Sequence, residues 1–389
     1  MPTDSFFHYK RRRLHCEAIP LETLAAKFQT PLFVTSKHSI LGQFEKFEHA
    51  FGALPHLTCY SVKANFNLAV IRTLVEAGSG LDVNSAGELY RALKAGGTPE
   101  KIIMAGVGKT AEEIEYALRK KILMLKAESV SELKVIDYVA AKLKVKARVG
   151  LRINPNVLAE THPYITTGDN RQKFGIDEEQ SEQVLRLVKK LTHIHLTGLE
   201  MHLGSQIFDT KPYLEATHKL LAVRQLAASM GFEITHIDVG GGFPVSYSDQ
   251  PATDINMFAE QLVPVLKASG ARILFEPGRY LVGNASVLLT KVLYRKENSR
   301  GKKFMVLDAA MTELIRPTLY GAYHDILPVK ETSRKVIIDV VGPVCESGDF
   351  FAKERGMADA AEGDLVAITS AGAYGAVMSS NYNARLRAA

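Results

Sequence analysis

Three motifs place groups that could do chemistry directly after apolar runs. The run LTCYSVK, residues 57–63, ends in Lys63, and burying an ammonium is costly unless it is paired or neutralised. Lys63 therefore either reaches solvent at the end of a strand or takes part in chemistry there. The other two motifs are IDVGGGFP, with Gly240, Gly241 and Gly242, and FEPGRY, with Glu276.

Each of these motifs also has an ordinary structural interpretation. Three glycines leave backbone N–H groups free to approach a phosphate, but a tight turn would use the same residues. Their spacing does not match the dinucleotide pattern G-x-G-x-x-G, and GVGKT at 106–110 is not a P-loop because Ile103 stands where that motif needs glycine. Glu276 could be an ion-pair partner, and His202 of EMHLGSQ could be a hydrogen-bonded core residue.

Taken together, an amine, a phosphate-binding loop and a carboxylate are the groups that pyridoxal phosphate needs. Lys63 would bind the cofactor aldehyde covalently, and the glycine amides would hold the phosphate. Glu276 would lie opposite the pyridine nitrogen and keep it protonated, while His202 would stack on the ring face. A protonated ring is a strong electron sink, so this combination favours decarboxylation.

The elements that would position these groups alternate regularly. Helix-like segments such as 110–121 and 129–143 separate eight apolar runs, and Ser129 and Glu132 have capping-box spacing. The runs are 57–63, 80–85, 101–106, 122–127, 146–153, 195–203, 233–241 and 272–278. This pattern predicts an α/β fold with a (β/α)₈ barrel, for which a doubly wound open sheet is the alternative. The barrel is favoured because the unusual polar and glycine residues follow the strands, where barrel enzymes place their active sites.

The rest of the chain is richer in predicted strands. Residues 283–389 are predicted to form a C-terminal β-domain, a sandwich or small barrel, and residues 1–40, including the strand PLFVTS, to contribute to it. The cofactor-binding barrel would then span residues 41–282. The segment 161–175, rich in Gly, Asp and Thr, is predicted to be a mobile lid.

Composition indicates a soluble cytoplasmic protein. The 389 residues are 46% hydrophobic and 23% charged with a net charge of +6, and we interpret the basic run at 10–13 as a solvated turn. No nucleic-acid-binding motif accompanies this run. Three widely spaced cysteines argue against a disulfide framework and a cysteine-based zinc site, so we expect no metal. The first 20 residues have no signal-peptide core, and no apolar run reaches 18 residues.

The chain resembles the diaminopimelate decarboxylase family of pyridoxal-phosphate enzymes, which have an alanine-racemase-like barrel. The resemblance runs through nearly the whole length. It is carried by YSVKANFN, GLDVNSAGEL, GVGKT, LRINPNVLAETHPYITTGDNRQKFGI, MHLGSQ, DVGGGFP, EPGRYLVGNA, RPTLYGAYH, GPVCESGDF and GAYGAVMSSNYN. It implies a barrel followed by a β-domain, and a head-to-tail homodimer with active sites at the interface.

The resemblance also implies roles for individual residues. Lys63 would carry the cofactor and His202 would stack on it with Ser205 nearby, while the phosphate would be held by the loop at Gly241 and by Tyr374. Cys345 would come from the partner subunit as proton donor, which a thiol can do; on its own it could be a small buried hydrophobe. The substrate-binding residues would be Arg279, Arg316, Tyr320, Glu346 and Tyr374. With Asp82, Gly240, Gly242, Glu276, Gly278 and Arg279 at the strand ends, these complete the predicted site.

The substrate prediction depends on charge. meso-Diaminopimelate has a distal carboxylate and ammonium, which an arginine pair and Glu346 suit, respectively. A decarboxylase of the same fold acting on ornithine, arginine or carboxynorspermidine is one alternative. A racemase is disfavoured because such enzymes place an arginine, rather than Glu276, at the pyridine nitrogen. A non-catalytic cofactor carrier usually lacks the β-domain.

Overall fold

The computed structural model describes residues 6–158, 168, 172–247 and 254–389. The chain divides into two compact units. The barrel unit consists of Phe44–Pro244 and Thr253–Gly278, and the strand-rich unit consists of Met1–Gln43, Val245–Ala252 and Arg279–Ala389. Most of the predicted lid, 161–175, lies outside the described residues.

The N-terminal segment begins with a small antiparallel sheet. Its strands are β1 (Phe7–Lys10), β2 (Arg13–Cys16) and β3 (Ile19–Pro20). Helix α1 (Leu21–Phe28), strand β4 (Leu32–Thr35) and helix α2 (Lys37–Ala50) follow. Leu14 and Leu21 are fully buried and belong to the same hydrophobic cluster as Leu32 and Val34 of β4, so the small sheet and β4 share one core.

The barrel unit contains the predicted closed parallel barrel. Its strands are β5 (His56–Ser61), β6 (Gly80–Val83), β7 (Ile102–Met104), β8 (Met124–Ala127), β9 (Ala147–Asn154), β10 (Ile176–Asp177), β11 (Ile194–Glu200), β12 (His236–Asp238) and β13 (Arg272–Phe275). Each neighbouring pair is parallel; β8 pairs with β9 and β13 pairs with β5, which closes the ring, while β10 pairs only with β9. The barrel prediction is confirmed, and the open sheet is excluded by these two pairings.

Helices cross between the strands. They are α3 (Leu68–Glu76), α4 (Ala86–Lys94), α5 (Ala111–Lys120), α6 (Val130–Leu143), α7 (Ser181–Val188), α8 (Lys211–Ser229) and α9 (Ile255–Lys267). Of these, α3, α4, α5, α6 and α9 begin at side-chain caps. Ser129 caps α6, but Glu132 accepts from the Glu128 amide instead, so the predicted capping box is only half formed. A complete box forms at Thr110 and Glu113 of α5. Within the described ranges, no helix is both long and apolar enough to cross a membrane.

The strand-rich unit continues after the barrel. Helices α10 (Arg279–Val282) and α11 (Arg316–Tyr320) accompany strands β14 (Ser286–Glu297), β15 (Lys303–Leu307), β16 (Ile326–Pro328), β17 (Lys335–Val341), β18 (Phe350–Ala358) and β19 (Leu365–Ile368). These six strands and β4 form one seven-stranded sheet, in which β4 pairs antiparallel with β14. The predicted second, strand-rich domain is therefore confirmed as part of the fold class.

A cluster of tilted and edge-on aromatic rings fills one part of the barrel unit. Phe51 is fully buried, and its ring centroid lies 4.9 Å from that of Phe47 and 4.3 Å from that of Phe275. Phe243, five residues after β12 ends, packs edge-on to Phe47 at 5.1 Å. These rings pack the end of α2 and the residue after it against β13 and the loop that follows β12.

We predict that Phe51→Ala lowers the free energy of unfolding by about 3–5 kcal/mol, because it leaves a cavity among rings that cannot collapse. Urea unfolding followed by far-ultraviolet circular dichroism measures this change. The matched control is Tyr138→Ala on α6, whose side chain is 69% exposed. Equal stability losses in the two variants would contradict the prediction.

Candidate active site

The turn after β5 places Lys63 beside a buried carboxylate. Parallel pairing sets Ser61 opposite Asp82, so both side chains lie at the end of β5 and β6. Asp82 Oδ2 accepts hydrogen bonds from Ser61 Oγ at 2.8 Å and from Lys63 Nζ at 3.4 Å. Asp82 is fully buried, whereas the Lys63 side chain is 35% exposed. The Lys63 amine is thus paired with Asp82 and still accessible to solvent, so its position at the end of an apolar strand carries no large desolvation cost.

The loop after β12 is a backbone surface without side chains. Gly240 and Gly242 have φ of +73° and +98°, where other residues are strained. A Cβ at Gly240 would also meet the Met201 carbonyl oxygen at 2.6 Å. The Gly240 N–H donates to Asp238 Oδ1 at 2.8 Å, and the Tyr213 hydroxyl donates to the Gly241 carbonyl at 2.7 Å. The loop is fixed from both sides.

His202 follows β11 and touches this loop. The Gly241 N–H donates to His202 Nδ1 at 3.1 Å. Burial, and next the positive charge of Lys63, hold the pKa of His202 well below its usual value. The imidazole is therefore neutral, and because Nδ1 accepts a hydrogen bond, its proton is on Nε2. Ser205 lies three residues further along the same loop.

Glu276 lies directly after β13 and is paired with a lysine that sequence reasoning missed. Lys126 of β8 is fully buried, and its Nζ donates to Glu276 Oε1 and to Asp238 Oδ2. Glu200 Oε1 lies 3.4 Å from the same nitrogen. The only sequence signal was one lysine within the otherwise apolar run ILMLKA.

The three carboxylates around Lys126 do not share its charge equally. Burial raises the pKa of Glu200 to about 8 and that of Asp238 to about 7, while the pKa of Glu276 is lowered because the charges of Lys126 and Lys63 outweigh its burial. At neutral pH Glu276 is therefore ionised, Asp238 is partly ionised and Glu200 is mainly protonated. This is the protonation state that a partner for a pyridinium requires.

A second buried ion pair lies on the neighbouring strand. Arg152 of β9 donates through Nη1 to both carboxylate oxygens of Glu128 at 3.1 Å. The Arg152 charge contributes to the lowered pKa of Glu276. Sequence reasoning did not identify this pair either, because an arginine on a strand is more often a surface residue.

Gly278 closes the barrel side of the site. A Cβ at this position would lie 3.0 Å from Ser61 Cβ and 3.1 Å from Ala64 Cβ, both in the turn that carries Lys63. Contacts between real Cβ atoms and their neighbours are rarely this short, so glycine allows the chain after Glu276 to pass close to that turn.

The predicted arginine pair lies together in the strand-rich unit. Arg279 Nη1 donates to the Tyr247 hydroxyl at 2.6 Å, and the Arg316 guanidinium lies 4.5 Å from the Tyr247 ring centroid. Burial alone would raise the pKa of Tyr247, but the two guanidiniums lower it overall. Arg279 also lies 4.8 Å from the Tyr374 ring centroid. Tyr247, which joins the two arginines, was not predicted.

Further contacts orient Arg316. Its Nη1 donates to His324 Nε2 at 3.1 Å, and His324 Nδ1 donates to the Thr369 carbonyl at 2.8 Å. Burial, and next the Arg316 charge, lower the pKa of His324 to about 3, so this histidine is a neutral acceptor. Tyr320 ends the same short helix, α11, and its phenol is electrostatically coupled to Arg279.

Cys345 and Glu346 lie on an exposed loop between β17 and β18. Both side chains are exposed, so the interpretation of Cys345 as a buried hydrophobe is wrong. Asp349 shapes the loop by accepting from the Val344 N–H at 2.7 Å, and Asn383 Oδ1 accepts from the Cys345 N–H at 2.8 Å. Thr318 of α11 donates to the Gly348 carbonyl at 2.5 Å, which ties this loop to the helix of Arg316.

The barrel end fits pyridoxal phosphate. A Cβ at Gly240, Gly241 or Gly242 would collide with the carbonyl oxygen of Met201, Glu276 or Gly204, respectively, so this loop consists of closely packed backbone without side chains, as a phosphate cradle requires. Asp82 Oδ1 is buried and, among the described residues, has no hydrogen-bond partner, so the site contains an acceptor that no protein donor uses. A reachable amine at Lys63 and an ionised acid at Glu276 complete the set.

Comparison with known proteins agrees with this chemistry. Residues 37–283 match the family model described as pyridoxal-dependent decarboxylase, pyridoxal binding domain. The fold and the barrel end therefore define a pyridoxal-dependent decarboxylase of the barrel class.

Individual relatives narrow the class. A diaminopimelate decarboxylase of Aquifex aeolicus is 43% identical over 386 residues, covering 99% of this chain and 91% of the relative. The structure of diaminopimelate decarboxylase from Helicobacter pylori complexed with L-lysine has a TM-score of 0.91 at 39% identity, covering 95% of this chain and 92% of that chain. The enzyme of that name from M. jannaschii has a TM-score of 0.93 at 34% identity, with coverages of 98% and 91%. The chain belongs to the diaminopimelate decarboxylase family.

The buried carboxylates predict a defined pH dependence of stability. An acid with a higher pKa in the folded than in the unfolded protein takes up a proton on folding, so stability falls as pH rises between the two values. For Glu200 this window runs from about 4.5 to about 8. Within this pH window, the free energy of unfolding should fall less steeply with pH in Glu200→Gln than in the wild type. The two slopes should differ by up to about 1.4 kcal/mol per pH unit.

Urea unfolding at a series of pH values measures these slopes. The control is Glu182→Gln on α7, where the replaced side chain is 55% exposed, and it should have the wild-type slope. Identical slopes for wild type and Glu200→Gln would show that Glu200 carries no raised pKa.

Proposed function

We propose that this chain catalyses the pyridoxal-phosphate-dependent decarboxylation of meso-2,6-diaminopimelate to L-lysine and CO₂, the last step of lysine biosynthesis. The observation that carries the proposal is the complete set of cofactor groups at the barrel end, in a chain 43% identical to a diaminopimelate decarboxylase over nearly its full length. The Helicobacter pylori relative is titled as complexed with L-lysine, which is the product of this reaction.

The barrel residues would hold and tune the cofactor. Lys63 would bind it covalently through Nζ, and His202, which is neutral, would stack on the ring with Ser205 nearby. The loop at Gly240–Gly242 would hold the phosphate, helped by Tyr374 of the strand-rich unit. Asp82 would accept a hydrogen bond through Oδ1, and Glu276 would hold a proton at the pyridine nitrogen. When bound, pyridoxal phosphate supplies an electron sink for the pair left when the bond between Cα and the carboxylate breaks. Burial of the acids keeps water from competing for these charges.

Charge complementarity would select the substrate. Arg279 and Arg316 can each bind a carboxylate through two parallel hydrogen bonds, and the shared Tyr247 contact keeps them in one place. Glu346 provides a negative charge for the distal ammonium, and Tyr320 and Tyr374 offer hydroxyls. Ornithine and arginine have no distal carboxylate, so they would leave this pair of buried guanidiniums without an anion.

The proton would come from the Cys345 thiol. Loss of CO₂ leaves an electron pair that must be protonated at Cα to give lysine, so one proton moves from Sγ to Cα. Cys345 is exposed on this chain, which is compatible with its acting in the active site of a second subunit. We therefore propose a homodimer with active sites shared across the interface, in which Cys345 belongs to the partner's site.

Two further assignments belong to this proposal. We assign the cofactor barrel to residues 41–282 and the β-domain to residues 283–389, with 1–40 completing it; the pairing of β4 with β14 supports this division. We also place the enzyme in the cytoplasm, because all three cysteines are free thiols. Neither assignment changes the chemistry.

The reaction is tested with the purified full-length chain and pyridoxal phosphate. We expect lysine and CO₂ from meso-diaminopimelate, and at least about 100-fold less product from ornithine, arginine or carboxynorspermidine, because an unmatched buried charge costs several kcal/mol. Borohydride reduction followed by mass spectrometry should locate the cofactor on Lys63, and Lys63→Ala should lose both the adduct and turnover. Turnover of ornithine at an equal rate would favour the alternative decarboxylase, and an adduct without any turnover would favour the cofactor carrier.

The shared active site makes a separate prediction. Lys63→Ala and Cys345→Ala should each be nearly inactive alone. After subunit exchange in a 1:1 mixture, activity should recover to about one quarter of wild type, because half of the dimers are mixed and each mixed dimer has one intact site. Native mass spectrometry confirms the exchange. Mixed dimers without activity would place Cys345 and Lys63 of the same chain in one site.

A further inference from the structure

Lys126 reaches Glu276 from the opposite wall of the barrel. In the ring order β9, β11, β12, β13, β5, β6, β7, β8, strand β8 lies four positions from β13. Lys126 is the third residue of β8, and its side chain crosses the interior to the carboxylate that follows β13. Lys126 has 0% exposure. A fully buried lysine is unusual, because its ammonium loses its hydration in the barrel interior.

Among the described residues, the hydrogen-bond and ion-pair partners of the Lys126 ammonium are carboxylates. Its Nζ donates to Glu276 Oε1 and to Asp238 Oδ2 and lies 3.4 Å from Glu200 Oε1. At neutral pH the cluster holds one cation and, with Glu200 mainly protonated, between one and two anions. Because Lys126 donates to Oε1 of Glu276, the second carboxylate oxygen, Oε2, can accept a hydrogen bond from the ring N–H.

Other charged and titratable groups surround this pair from every side of the barrel. They are Cys59 of β5, Lys63 after β5, Asp82 of β6, Arg152 of β9, Glu200 of β11, His202 after β11 and Asp238 of β12. Lys126 differs from the other two cations in that it contacts Glu276 directly: Arg152 is bonded to Glu128, and Lys63 to Asp82. Its removal is thus the change that most alters the potential at this carboxylate.

We propose that Lys126 is a positioning residue for Glu276: it holds one carboxylate oxygen from the opposite wall, and its charge sets how tightly Glu276 holds the proton at the cofactor ring nitrogen. This inference rests on the proposed function, because it takes Glu276 as the partner of the pyridine nitrogen. The ring nitrogen and a Glu276 oxygen share one proton, and a nearby cation repels this proton on either atom. The cation therefore lowers the proton affinity of the pair. Lys126 therefore keeps the proton from being bound too tightly.

The test measures the ring nitrogen itself. Full-length protein is loaded with pyridoxal phosphate labelled with ¹⁵N in the ring, and the nitrogen chemical shift is followed as a function of pH. In Lys126→Gln, the pH at which the ring proton leaves should rise by about one unit or more, a tenfold or greater gain in proton affinity. Lys126→Arg, which keeps the charge, should remain close to wild type.

Two matched variants separate charge from damage to the fold. Lys109→Met removes another buried lysine, which pairs with Glu132 at 2.7 Å and not with Glu276, so it should cost stability without moving the titration. Glu200→Gln removes a potential negative charge from the cluster and keeps Lys126, so the ring titration should stay or move to lower pH. If Lys126→Gln does not fold, the Glu200→Gln variant still tests the inference, because an upward shift of its ring titration would contradict it.

The outcomes are distinct. The inference would be overturned if the ring nitrogen of wild type and of Lys126→Gln lost its proton at the same pH, or if neither curve changed with pH. It would also be overturned if the ring proton left at a higher pH in Glu200→Gln or in Lys109→Met. Failure of the wild-type protein to form a cofactor adduct on Lys63 would instead overturn the proposed function, and the inference with it. An upward shift confined to Lys126→Gln supports both.

Discussion

Closure of a parallel barrel around buried charge is the constraint on which the site depends. Because all eight strands run in one direction and β8 pairs with β9, the carboxyl ends of distant segments meet at one end of the ring. Charges that would be separated by more than a hundred residues of chain, such as Lys126 and Glu276, become hydrogen-bonded neighbours. Their mutual neutralisation is what makes the burial of either one tolerable.

The same constraint explains how a site can contain several acids and still hold one of them reliably ionised. Asp238 and Glu200 share the environment of Glu276, yet burial raises the pKa of each of the first two acids, whereas neighbouring cations lower that of Glu276. Ionisation is therefore assigned by geometry and not by residue type. In the strand-rich unit, Arg316 similarly has a neutral histidine, His324, as its acceptor, which leaves the guanidinium charge uncompensated by that contact.

Sequence reasoning found the parts of the site whose positions are marked locally. The barrel followed from alternating periodicity, and Lys63, the glycine loop and Glu276 were visible because each interrupts the end of an apolar strand. Lys126, Glu200 and Arg152 were missed because they lie within strands, and their partners are set by closure of the ring and not by neighbours in sequence. Tyr247 was missed for a related reason: its contacts, Arg279 and Arg316, are 32 and 69 residues away in the chain.

The glycine loop has a consequence for how this enzyme can change over evolutionary time. At Gly240 and Gly242 both the backbone angles and the surrounding atoms reject a side chain, so a gene library randomised at these codons should return glycine almost alone. Arg279, Arg316 and Tyr247 have no such backbone restriction, because none of them has a positive φ. In the roles proposed above, substrate preference can therefore change by point mutation at these residues, whereas the glycine loop remains fixed.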